Sequence, residues 1–186
     1  MRGARGGKTR DPRWDHVALS GPAGYGPAMS DDLYQQDILA WSTRQSDLLR
    51  RLARGERVNG VDWSHVVEEI EDVGLAQLHA VRSFLRQMLV HLLKLHAWPE
   101  SDAAGHWRGE VALFQAEAAQ RFAPSMRRRI AVDRLFAEAR TQLEGMTHDG
   151  RPPLALPAAC PFTLDALLQG KRAELEDRLR DAARPA

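Results

Sequence analysis

The chain has little to cross-link or anchor it. Cys160 is its only cysteine, so no intrachain disulfide can form, and a reducing, cytoplasmic compartment is the simpler setting. Charge of one sign is not in excess. Twenty-six Lys and Arg against twenty-five Asp and Glu leave a net charge of +1, which gives no electrostatic argument for a nucleic-acid or membrane partner. Long hydrophobic runs are missing too. The longest, Met88 to Trp98, is broken by His91, Lys94 and His96 and is too short to cross a bilayer. Arg2, Arg5, Lys8 and Arg10 are followed by no apolar stretch, so they do not form a secretory signal. Period-two alternation is absent and β-branched residues are few, which argues against strands.

What remains is helical pattern on a chain of 186 residues, long enough to bury a core without disulfides or metals. Residues 1–28 stand apart. They hold six of the fourteen glycines and five Arg or Lys against two Asp. Such a composition cannot offset its ordering entropy, and it reads as a disordered tail. Met29-Ser30-Asp31-Asp32 would also serve as a translation start leading into a capped helix. The expected organisation is the tail (1–28), a helical bundle domain of five to six helices (29–170) and a charged extension (171–186). The extension has only Leu175 and Leu179 as apolar contacts and reads as a marginal helix.

Within the bundle, a first helix runs from about Asp31 to Ala53. It keeps Tyr34, Ile38, Trp41, Leu48, Leu49 and Leu52 on one arc, and Gly55 is its stop. A second runs from Asp62, its cap, to Val73, with Trp63, Val66, Val67, Ile70 and Val73 turned to the core and Gly74 as its end or kink. The third, Leu75 to Ala97, has the widest apolar face and forms the centre. A fourth spans Ser101 to Phe122, and a fifth, capped by Ser125, spans Met126 to Met146. A proline-rich loop then leads to a short helix capped by Thr163. Trp41, Trp63 and Trp107 take core positions rather than those of a base-stacking platform.

The chemistry-bearing residues near these faces form a candidate polar cluster: Asp37, Glu69, Glu71, Arg82 and His91. A charge on such a face needs a partner. The favoured arrangement is an ion-pair network, with Glu69 or Glu71 on Arg82, and Asp37 on a helix end or a histidine. The alternative is a carboxylate–histidine metal site from Glu69, Glu71 and His91, because helix bundles build such sites from inward Glu and His. Against it, no Glu-x-x-His pair lies on an apolar face. His79 and His91 are about 18 Å apart along a helix and cannot share an ion. His65 and Glu68 face outward as a solvated pair. Cys160 sits in a proline-bounded loop as a packed thiol, and Gly170-Lys171 lacks the glycine spacing of a phosphate loop.

Five groups of residues, taken in order, resemble a bacterial family of cyanobacterial-type hypothetical proteins catalogued as domain of unknown function twenty-nine. They are Leu33-Tyr34-Gln35-Gln36-Asp37 with Ala40-Trp41; Asp62-Trp63 with Glu68-Glu69-Ile70-Glu71 and Gly74; His91-Leu92-Leu93-Lys94; Trp107; and Cys160-Pro161-Phe162-Thr163-Leu164. The resemblance runs from Leu33 to about Leu168. It implies an all-α fold and carries no catalytic set and no cofactor. Three functions follow in order of preference. The first is a non-enzymatic helical module for protein–protein contact, a homodimer among its forms. The second is a metal-binding protein or metal-dependent enzyme on the carboxylate–histidine set. The third is a weak nucleic-acid binder using the basic tail and Arg127-Arg128-Arg129.

Overall fold

The computed structural model describes residues 33–184. The tail at 1–28 and the start at Met29 lie outside the described residues. The fold is all-α. The chain divides into two units, Met1–Val66 and Val67–Ala186, and no helix among the described residues is long and apolar enough to cross a membrane.

In the first unit, α1 spans Ile38–Ala53. Asp37 opens it, with Oδ1 accepting the Ala40 amide at 2.9 Å. Arg50 and Arg51 lie in the last turn, where the helix dipole favours cations. Gly55, at φ +81°, ends it as expected. The residues buried on α1 are Trp41 and Gln45.

The next helix differs most from expectation. One continuous element, α2, spans Trp63–Ala97 through Gly74. A single interior glycine costs a helix only about 1 kcal/mol relative to alanine, and no proline or capping group follows to end it. A 35-residue helix is about 52 Å long. Its apolar face is one face throughout: Val67, Ile70, Leu78, Val81, Leu85, Met88 and Leu92 fall on the same arc at about 100° per residue. From Leu78 onward that arc is buried. Before it, the expected core position of Trp63, Val67, Ile70 and Val73 is not found. They are 55%, 51%, 68% and 67% exposed, and only Val66 of that group is buried.

The core of the second unit gathers around the C-terminal two thirds of α2. Helix α3 (Ala104–Arg121) contributes Trp107, Val111 and Ala118. A 3₁₀ segment, Pro124–Arg129, comes before α4 (Val132–Leu143), which buries Leu135, Phe136, Ala139 and Leu143. The expected single helix from Met126 to Met146 is therefore two elements. The arginine run falls in the last turn of the 3₁₀ segment rather than at a helix start. Arg127 holds Asp165 with two hydrogen bonds, 2.9 and 2.7 Å.

Helix α5 (Leu164–Gln169) is capped by Thr163, whose Oγ1 accepts from Ala166. It packs on α3, where Gln115 Nε2 donates to the carbonyls of Leu167 and Gly170. A Cβ at Gly170 would stand 2.4 Å from the Ala166 carbonyl oxygen, so only glycine fits this tie. The charged extension forms α6 (Arg172–Ala182), and its Leu175 and Leu179 are fully buried with the core.

The continuity of α2 is testable at Gly74, where a Cβ would meet nothing within 4 Å. We expect Gly74→Ala to raise stability by about 1 kcal/mol, read by urea denaturation. A loss would mean that the chain breaks there.

Candidate functional site

Two polar centres and one open surface stand out. The first centre is the Asp62 carboxylate, in the unit that ends at Val66. Asp62 is the residue before α2, and its side chain is 4% exposed. Trp41 Nε1 donates to its Oδ2 at 3.1 Å and Ser64 Oγ to its Oδ1 at 2.9 Å. His65 Nδ1 lies 2.8 Å from Oδ2. A carboxylate only accepts, so that nitrogen carries the proton. The Asp62 amide donates to the buried Gln45 Oε1 at 3.0 Å. Tyr34 stacks on the His65 ring at 3.9 Å and meets Trp41 edge-on.

Burial alone would raise the Asp62 pKa. The hydrogen bonds from His65, Trp41, Ser64 and the His65 backbone outweigh it and hold the pKa at about 2. His65 was expected to point outward as a solvated partner of Glu68. Its side chain is only 17% exposed and is paired with Asp62. The i, i+3 spacing of Asp62 and His65 was the available signal. It was obscured because Trp41 and Gln45, the residues that enclose the carboxylate, are about twenty positions earlier.

The second centre, in the unit after Val66, joins Ser101 to His148. Ser101 Oγ lies 2.7 Å from His148 Nε2, and Asp149 Oδ2 lies 3.3 Å from the same nitrogen. A nucleophilic triad places the carboxylate on the other ring nitrogen, so this is not one. It is a latch for the proline-rich loop. Asp149 and Gly150 both have positive φ in a tight turn. Trp98 Nε1 donates to the Arg151 carbonyl at 3.0 Å, and Trp98 and Trp107 pack on the His148 ring. The Asp-Gly pair signalled the turn, but no pattern paired His148 with Ser101.

The expected polar cluster is not assembled. Asp37 caps α1 and is exposed. Glu69, Glu71, Arg82 and His91 all ride on α2. Glu69 and His91 are twenty-two residues apart, about 33 Å along a straight helix, and Glu71 and Arg82 are about 16 Å apart. Asp37 on a helix end is as expected, whereas the pairing of Glu69 or Glu71 with Arg82 and the carboxylate–histidine metal site needed a turn at Gly74 to fold these residues together. Among the described residues, no three His, Cys, Asp or Glu side chains come close enough to hold a metal. Arg82 instead borders a shallow cavity with His79, Arg86 and Glu138.

His91 faces Phe114 and His106, and its buried Nδ1 has no hydrogen-bond partner. Burial, then the Lys94 charge, lowers its pKa; Glu110 opposes and His106 adds to the lowering. Cys160 is half-buried with its thiol toward the Phe162 carbonyl, and burial pushes its pKa up. It is a packed thiol, not a thiolate.

The open surface is the N-terminal part of α2, where Trp63, Val67, Ile70 and Val73 are exposed. Between residues 62 and 74 the chain has five acids and no Lys or Arg.

Residues 33–172 match the family described as domain of unknown function DUF29. The chain belongs to that family. An alpha-helical protein of unknown function from Rhodospirillum rubrum has a similar solved structure. It is 28% identical over 78% of this chain and 96% of its own, with a TM-score of 0.53. No curated protein matches the chain. The DUF29 match ends at residue 172, so most of α6 lies beyond it even though its leucines complete the core.

Two pH effects follow for this DUF29 chain. The Asp62 pKa is depressed in the fold, so its contribution, roughly 2 kcal/mol, is full above the unfolded value near 3.8. It is lost as pH falls through about 2. Denaturation midpoints should fall over that range, and Asp62→Asn should remove this part of the decline. His91 resists protonation in the fold, so its effect is a loss of stability as pH drops below about 6.5. His91→Leu should flatten the curve there. An unchanged slope would show that His91 is freely solvated.

Proposed function

We propose that this chain is a non-enzymatic helical module for protein–protein contact, and that its docking face is the open N-terminal part of α2. One observation supports this most. The face that is core from Leu78 onward continues, with the same spacing, through Ile70 and Val67, and these residues, with Val73 beside them, are more than half exposed. Fully burying a side chain of this size is worth roughly 1.5–3 kcal/mol. Three left half open side by side forgo a sizeable part of a typical domain stability, about 5–15 kcal/mol. A contiguous exposed apolar patch with a polar rim has the character of an interaction surface. Glu68, Glu71 and Asp72 supply that rim. Neither polar centre has a catalytic arrangement, and each fastens local structure. The lone thiol suits a reducing cytoplasmic setting.

The test is Ile70→Asp. If the face is a docking surface, the isolated monomer keeps its melting temperature within about two degrees, because an exposed residue changes stability by no more than about 0.5 kcal/mol. Association through the face is lost. A drop of many degrees in the dilute monomer would show that the chain itself covers Ile70 and would end this reading.

A further inference from the structure

The occupant of the open α2 face can be named from charge. Residues 62–74 hold five acids and no Lys or Arg. Glu68, Glu71 and Asp72 are exposed and form no ion pair among the described residues. Residues 38–57 have the opposite balance, with five arginines against two acids. Arg50, Arg51 and Arg54 are held locally by Asp47 and Glu56. Arg44 and Arg57 are exposed and form no ion pair among the described residues.

Helix α1 also has apolar surface to bury. Leu39 is 74% exposed, Ile38 and Leu52 are exposed, and an open groove of about 590 Å³ runs past Leu39, Thr43 and Leu48, with Arg44 and Arg51 and also Asp37 and Asp47 along it. The chain thus has an apolar face rimmed by Glu68, Glu71 and Asp72 and an apolar segment, residues 38–57, on which arginine outnumbers acid, and among the described residues both carry charges that form no ion pair.

We propose that these faces meet between two copies of the chain, with α1 of one copy lying on the open part of α2 of the other. This rests on the docking reading of α2 and names its partner. Pairing α2 with a second α2 would set Glu68, Glu71 and Asp72 of both copies against one another, and like charges across an interface cost several kcal/mol. Pairing residues 38–57, α1 and the turn after it, with α2 sets Arg44 and Arg57 against glutamate and apolar residue against apolar residue. Gly74 lies on the receiving face with open space above its Cα, so a partner helix can approach the backbone closely there.

The experiment is sedimentation equilibrium of the full chain and of two charge-reversed variants at exposed positions, Arg44→Glu with Arg57→Glu, and Glu68→Lys with Glu71→Lys. Wild type should form a dimer whose dissociation constant rises with salt. Each variant alone should dimerise about tenfold more weakly or worse. An equimolar mixture of the two should recover the dimer, because reversed α1 then meets reversed α2. A wild type that stays monomeric at all concentrations overturns the proposal. So does a dimer indifferent to both reversals, or a mixture that recovers nothing.

The Ile70→Asp monomer keeps the two claims separate. A monomeric wild type with an unimpaired Ile70→Asp variant sinks self-association and leaves the face to another protein, a basic amphipathic helix being the fitting chemistry. A destabilised Ile70→Asp monomer sinks both.

Discussion

An unbroken backbone through Gly74 is the constraint on which the rest depends. Because α2 runs from Trp63 to Ala97 as one helix, its apolar face is a single stripe, and a stripe of that length needs a cover of equal length. Helices α3 to α6 and the loop between them bury the stretch from Leu78 onward. The earlier stretch keeps its apolar spacing without that cover. The open face is therefore a consequence of helix continuity rather than a local oddity of composition.

The start of the same helix is fixed by a different kind of force. The Asp62 carboxylate gathers an indole, a hydroxyl, an imidazole and a backbone amide around one buried charge. Such a centre stabilises by roughly 2 kcal/mol at neutral pH through the depressed pKa, and it is directional where apolar packing is not. It settles which side of the first helical turn is enclosed: Val66 is buried and Trp63 is exposed. The Ser101–His148 latch does comparable work on the proline-rich loop, with Trp98 and Trp107 as its walls. Both centres contain residues familiar from catalysis, and the contacts described at each tie together segments distant in sequence.

The C-terminal segment shows how little apolar material suffices when the core is incomplete without it. Leu175 and Leu179 are the only large apolar side chains on α6 and both are fully buried. A helix too polar to form alone is held by the site it fills, as tertiary packing usually outweighs propensity. The same balance at Gly74 let a helix of thirty-five residues absorb a residue that elsewhere ends one.

The all-α class, the cap at Thr163, the stop at Gly55, the core leucines of α2 and the family were all legible in the amino-acid order. Each rests on local spacing or on short ordered motifs, and spacing within one helix is a property of the sequence alone. The candidate site was not legible in the same way. Asp37, Glu69, Glu71, Arg82 and His91 were grouped by their positions on separate helical wheels, and a wheel does not say whether two helices are two or one. Whether Gly74 ends a helix is a difference of about 1 kcal/mol, smaller than what packing on either side contributes. The burial of Asp62 with Trp41, the inward turn of His65 and the exposure of Ile70 depend on which surfaces meet across distant positions. The sequence determined which faces are apolar. The tertiary structure decided which of them are covered, because covering a face takes a partner surface that the face itself does not encode.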